Sequence, residues 1–293
     1  MKKILLTGGS GFIGKNILES ELSQKYQIIA PSSKELNLAS DDDVKNFLEK
    51  NKFDIIIHSA CKPGHRNAKD NAGIFYSNSR MFFNLLKYCG GTKIINIGSG
   101  AIYDMRHYMP KMKEEYFATY IPQDEHGFCK YIIGKQIENL DNVVDLRVFG
   151  IFGKYEDYTI RFISNAICKT LFDLPITIKQ DRKFDYIYID DLMPVLEFFV
   201  EKKTKYKTYN ITPDISIKLS DIAKTVKKIA NKDLSIIIAN EGLGMEYSGD
   251  NSRIKAEMAN YSNISIENSI FKLYNFYQNN IDKINEEYLL TDK

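Results

Sequence analysis

Residues 7–14 read TGGSGFIG, and the reading of this stretch decides the fold. Three of its four glycines, Gly8, Gly11 and Gly14, recur at every third position. Before them runs KKILLTG, a short strand; after them Ile13, Ile17 and Leu18 take helical spacing in GFIGKNILESELSQ. Glycine is needed where backbone turns tightly and must approach a pyrophosphate without a Cβ in the way. The helix start then offers N–H groups and the positive end of its dipole to the phosphates. Between a strand and a helix, this triplet specifies a dinucleotide-binding turn built from Gly8, Gly11, Phe12, Ile13 and Gly14. The other reading of a bare triplet is a glycine-rich turn without ligand.

Outward from that turn the chain alternates. YQIIA is a second strand, DDDVKNFLEKN a helix opened by Asp41 to Asp43 where the dipole favours negative charge, and FDIIIHSA a strand apolar enough to be buried on both faces. IFYSNSRMFFNLLKYC, TKIINIGSG, GFCKYIIGKQIENL and VVDLRVFGIFG continue as helix, strand, helix, strand. This rhythm predicts an α/β fold, a Rossmann-type doubly wound parallel sheet over residues 1–153. After Gly153 the rhythm breaks, and 154–293 read as a smaller α/β substrate-binding lobe, from which the sheet is able to reclaim 184–202. RFISNAICKTLF, LMPVLEFFVEK, LSDIAKTVKKIANK and IENSIFKLYNFYQNNID are its helices; PITIK, FDYIYID and KTYNI are its strands.

Bulk composition bounds the function. With 44% hydrophobic and 27% charged residues, the 293-residue chain has the makeup of a globular protein with a sizeable core. Lys+Arg 40 against Asp+Glu 38 points to neither a nucleic acid nor a membrane surface as partner. MKKILLTGG has too short an apolar run for a signal peptide, and no run approaches the ~18 residues of a membrane span. The scattered cysteines Cys61, Cys89, Cys129 and Cys168 form no metal-ligand pattern and suit reduced thiols in a cytoplasmic protein.

The second strand leads into APSSKELNL, where an NAD site usually carries an acidic residue for the ribose hydroxyls. Ser32, Ser33 and Lys34 stand there instead, which favours the 2′-phosphate of NADP. With Lys34 as a solvated turn lysine and Glu35 next to it, NAD is the alternative. Asn37 and Leu38 then fall near the adenine.

With TGGSGFIG, HSA at 58–60, Asn78, GSGAIYD, HGFCK, LRVFGIFG, FDYIYIDDL, YNI and SGDNSRIK in this order, the chain resembles the NAD-dependent epimerase/dehydratase family of the extended short-chain dehydrogenases/reductases. SKELNL and HSA look closest to its sugar-nucleotide 4-ketoreductases. The resemblance implies a nucleotide-sugar substrate, a homodimer, a cofactor contact at Ser59, Ala60 and Asn78, and a catalytic hydroxyl at Ser99. It implies that Lys130 holds the nicotinamide ribose. A family YGxSK motif falls on HGFCK, so His126 stands in the place of the catalytic tyrosine. Tyr131 and Lys135 offer a rival YxxxK, but only sixteen residues separate Tyr131 from Arg147 against twenty-one from His126. Neutral imidazole is a competent base near pH 7 and imidazolium a competent acid. His126 therefore reads as the proton donor or acceptor, directly or through water, the alternative being a site that binds without turnover. An epimerase that retains its NAD is the second enzymatic reading. His65, Arg66, Arg161, Arg182 and Lys183 are expected to face the substrate; Phe184 stands where the resemblance implies a diphosphate-binding arginine. Phe82, Phe83, Tyr131 and Ile132 spread apolar surface beyond one face of their helices, as a dimer interface would.

Overall fold

The computed structural model describes residues 1–62 and 73–291. The first half folds as β1 (Lys3–Thr7), α1 (Phe12–Glu19), α2 (Leu22–Lys25), β2 (Gln27–Ile29), α3 (Asp41–Lys50), β3 (Ile55–His58), α4 (Ile74–Tyr88), β4 (Lys93–Ser99), α5 (Glu125–Ile137) and β5 (Val143–Val148). The second half adds β6 (Gly150–Phe152), α6 (Phe162–Leu171), β7 (Ile176–Asp181), β8 (Lys183–Phe184), β9 (Tyr186–Tyr188), α7 (Ile189–Glu201), β10 (Thr208–Ile211), β11 (Ile217–Lys218), α8 (Leu219–Ala230), β12 (Ile236–Leu243), α9 (Ser252–Glu257) and α10 (Ile266–Gln278).

Six strands form one sheet in the order β2-β1-β3-β4-β5-β10, with every pair parallel. This is the doubly wound sheet that the alternation predicts. Successive residues of a strand point to opposite faces, and the sequence fills both. Ile4, Leu6, Ile55, Ile57, Ile95 and Ile97 enter one core with Ile17 of α1 and Leu196 of α7. Leu5, Ile56 and Ile94 enter a second with Val44, Phe82 and Ile133 from α3, α4 and α5. Strand order reverses between β1 and β3, and ligands of such sheets bind at the carboxyl ends of the strands at that point.

Three features depart from the sequence reading. VVDLRVFGIFG is not one strand: it breaks at Phe149, and β6 leaves the sheet to pair in parallel with β9. The sheet's sixth strand, β10, comes from KTYNI, beyond the 184–202 segment. An unforeseen strand, β12, pairs with β7; its residues are largely exposed, so no buried periodicity announces it. Among the described residues no helix is long and apolar enough to cross a membrane.

Candidate active site

The glycine turn closes between β1 and α1, with the Gly11 N–H donating to the Gly8 carbonyl at 3.0 Å. Gly8 has φ +76°, and a Cβ there would lie 2.7 Å from the Ala60 nitrogen, against the segment that follows β3. At Gly14 a Cβ would overlap the Gly8 carbonyl, so both positions exclude a side chain. Gly11 is the N-cap of α1 and no side chain caps it; the first amides, those of Phe12 and Ile13, are left to a ligand. This cradle fits a pyrophosphate.

Thr7 and His58 face each other across β1 and β3, Oγ1 to Nδ1 at 2.8 Å, and the Ala60 N–H donates to the same Thr7 oxygen at 3.3 Å. His58 thus bonds a side chain of the neighbouring strand. Burial, then the Lys130 charge, lowers its pKa to about 3, so the ring is neutral. Asn78 of α4 brackets the next residues, its Oδ1 accepting from the Lys62 N–H at 2.6 Å and its Nδ2 donating to the Lys62 carbonyl at 3.4 Å. Ser59 and Ala60, half-buried, are thereby fixed beside Gly8.

Ser32, Ser33 and Lys34 are exposed beyond β2. The Ser32 N–H donates to the Glu35 carboxylate at 2.8 Å, and the Ser32 backbone and hydroxyl hold that carboxyl below its usual range. Asn37 is exposed, whereas Leu38 is buried in the second core, so of the two Asn37 is open to an adenine.

Ser99 ends β4, and its Oγ accepts the Ala101 N–H at 3.1 Å as the chain turns into a single 3-10 turn, Gly100–Ile102. Helix α5 begins at Glu125, two residues earlier than its sequence pattern, because Asp124 caps it by accepting the Gly127 N–H at 2.8 Å. His126 therefore lies in its first turn. It is half-buried, with Nδ1 out of contact with solvent. Two contacts lay α5 along the end of β4. A Cβ at Gly127 would lie 2.8 Å from the Ala101 carbonyl, and Lys130 Nζ donates to the Ile97 carbonyl at 3.4 Å. Ala101 and Ile97 lie on either side of Ser99, so the first turns of α5 run alongside that residue. Of the rival pair, Tyr131 packs against the buried cluster of Ile102, Tyr103, Tyr108 and Phe149 that follows Ser99. Tyr131 packs beside Phe117 and Phe128, ring centroids 5.6 and 6.3 Å away, and Lys135 forms a surface ion pair with Glu138. Cys129 is buried, which pushes its thiol up to about 11 and makes it packing.

Toward the second half, Arg161 is exposed at the N-cap of α6, and Arg182 is half-buried. Both act electrostatically on the half-buried Tyr186 phenol. Lys183 is exposed, and since neighbours on a strand point to opposite faces, it points away from the Phe184 ring. His65 and Arg66 lie outside the described residues.

Sequence reasoning missed a buried polar network beneath α5. Arg147, 1% exposed, donates to Asp145 at 3.3 Å and to the Tyr103 hydroxyl at 2.9 Å. Tyr103 donates to Asn210 of β10 at 2.8 Å, and Asn96 of β4 to Asp145 at 2.6 Å. Asn96 two positions from the side-chainless Gly98 in β4, and Asp145 two positions from Arg147 in β5, are the signal that was available.

A parallel sheet whose switch point lies over a glycine cradle defines a doubly wound dinucleotide-binding protein of Rossmann type. The NAD dependent epimerase/dehydratase family pattern matches residues 4–212, and the chain belongs to that family, a branch of the extended short-chain dehydrogenases/reductases. GDP-L-colitose synthase of Yersinia pseudotuberculosis is 23% identical over 302 residues, 94% of this chain and 98% of that protein. ADP-L-glycero-D-manno-heptose-6-epimerase of Brachyspira hyodysenteriae is 26% identical over 268 residues, 77% of this chain and 80% of that one. Among solved structures, MlghC, the GDP-mannoheptose C4 reductase of Campylobacter jejuni with NADP bound, superposes with a TM-score of 0.81 at 18% identity, over 94% of this chain and 98% of the other.

Proposed function

We propose that this protein is an NADP-dependent oxidoreductase that reduces a 4-keto group on a nucleotide-linked sugar for surface-polysaccharide synthesis. The observation that carries the reading is the run of α5 past Ser99, with Gly127 close against the Ala101 carbonyl and Lys130 bonded to the Ile97 carbonyl. The activities of the named relatives, all on nucleotide-linked sugars, support the substrate class, and the NADP in MlghC supports the cofactor.

The amides of Phe12 and Ile13 would hold the pyrophosphate, and Ser32, Ser33 and Lys34 the 2′-phosphate. When bound, the nicotinamide supplies the hydride. Ser99 Oγ accepts from the Ala101 N–H, which directs its own hydrogen outward to the carbonyl oxygen that gains charge. His126 delivers the proton to that oxygen, directly or through one water. Lys130, anchored on the Ile97 carbonyl, would hold the nicotinamide ribose. Phe83 and Ile132 stay half-buried on α4 and α5, and Tyr76 is 63% exposed, surface suited to pairing two copies. Phe82 is fully buried in the core and takes no part.

The test is NADPH oxidation by the purified protein against a panel of 4-keto nucleotide sugars, with His126→Ala and His126→Tyr beside the natural chain. Loss of roughly 10²- to 10⁴-fold in the alanine variant, with partial recovery in the tyrosine variant, is the expected result for a proton-transfer residue. An alanine variant as fast as the natural chain removes His126 from the chemistry.

A further inference from the structure

At the carboxyl edge of β4 and β5, a row of aromatic rings leads from the Ser99 turn into the second half of the chain. Tyr247 lies at its centre. Its N–H donates to the Lys183 carbonyl and its own carbonyl accepts from the Asp185 N–H, both at 3.0 Å, so its backbone is fixed alongside β8. Its ring lies 4.6 Å from Phe184 at 30°, 5.1 Å from Phe149 and 5.0 Å from Tyr108. Phe184 in turn stacks on Tyr186 at 4.8 Å. Held on these sides, the Tyr247 hydroxyl comes over Gly100, where an added Cβ would lie 2.5 Å from its oxygen. Gly100 is the residue next to Ser99.

Three phenols meet at this turn, and two are buried. Tyr103 is tied to Arg147 and Asn210, and Tyr108 donates to the Gly100 carbonyl. Tyr247 is half-buried and keeps surface toward solvent. The row also has a polarity. Its hydroxyl end lies by Ser99, and Arg161 and Arg182 act on Tyr186 at the far end. Phe184, a ring where a cation was expected, leaves the anionic part of a ligand to those two arginines.

We propose that Tyr247 is a substrate-contacting residue. Its hydroxyl, beside Gly100 and so one residue along the chain from Ser99, bonds the sugar of a nucleotide-linked sugar, and its ring with Phe184 packs against that sugar's apolar face. The assignment rests on the sugar-nucleotide reading above. It concerns where the sugar is held and leaves the proton-transfer role of His126 separate.

Calorimetric binding with NADP⁺ saturating tests it, using GDP-mannose, dTDP-glucose and UDP-glucose, and GDP, dTDP and UDP as probes without the sugar. Tyr247→Phe keeps the ring and removes the oxygen. It is expected to weaken the best-bound nucleotide sugar roughly three- to tenfold, the share of one hydrogen bond. Binding of the matching nucleoside diphosphate, NADP⁺ affinity and the thermal midpoint should stay as in the natural chain. Equal binding of the nucleotide sugar by both proteins overturns the Tyr247 assignment alone. A parallel loss for sugar and diphosphate probes also overturns it, since that marks a structural role. A natural chain that takes up NADP⁺ but none of the three nucleotide sugars sinks the sugar-nucleotide reading and this assignment together.

Discussion

Two lysines compete for one role, and their surroundings separate them. Lys130 is half-buried, bonds the Ile97 carbonyl inside the sheet edge, and its charge is felt by His58 on β3. Lys135, five residues on, is spent on a surface pair with Glu138 and lies over the Phe117 ring at 5.8 Å. Such a surface pair contributes little to stability. Lys130→Met should therefore weaken NADP⁺ binding by the value of a charged hydrogen bond, about 1.5–3 kcal/mol or roughly ten- to a hundredfold. Lys135→Met should leave it unchanged. Fluorescence titration of both variants decides between the two registers, and the reverse result would hand the role to Lys135 and Tyr131. The sequence carried this choice in its spacing, since twenty-one residues from His126 to Arg147 leave room for the helix and the turn back. It did not carry Tyr247. That residue directly precedes SGDNSRIK, a stretch that gives Tyr247 itself no role, and it reaches Gly100 only because β8 holds its backbone.

At the scale of elements, β4 and β5 are joined by more than their ladder. Asp145 occupies space that Gly98 leaves by lacking a side chain, and Arg147 closes the charge beside it. The guanidinium also lies 4.5 Å from the Phe117 ring and bonds Tyr103, four residues after Ser99. The network thus fixes the turn that carries the serine. Removing one member of a buried ion pair strands the other charge, at about 3–5 kcal/mol, whereas removing both is far milder. Arg147→Met alone should lower the unfolding free energy from urea titration by that amount, and Arg147→Met with Asp145→Asn should recover most of it. Similar losses in the single and double variants would mean that the pair is not coupled. The strands themselves were legible because isoleucines alternate into two cores. The network was not, because a buried arginine in VVDLRV looks no different from an edge residue until its partners on β4 and β10 are in place. Phe149 ended β5 unannounced for a related reason: its apolar neighbours suit either sheet, and only pairing with β9 shows which one β6 joins.

For the molecule as a whole, one carboxyl couples stability to pH. Glu156 follows the segment that leaves the sheet and is buried, with its carboxylate accepting the Ser164 hydroxyl of α6. Burial raises its pKa to about 8, with Ser164 and Arg161 pulling only partly the other way and Asp157 adding to the rise. Tyr186 and Tyr277 of α10 and the Cys168 thiol feel the same charge. The folded state therefore holds this proton more tightly than the unfolded chain, whose glutamate titrates near 4.3. The sign follows from that order. Its contribution is complete below the unfolded value, is lost as pH rises through the window up to about 8, and is constant above it. Within that window the loss is about 1.4 kcal/mol for each pH unit. Glu156→Gln keeps the shape and removes the titration, so it should unfold at higher urea than the natural chain at pH 9 and lose the difference at pH 4. Urea titrations at pH 4, 6.5 and 9 check both slopes. Parallel curves for the two proteins would place the Glu156 charge in contact with water and separate the joining of the two halves from any proton.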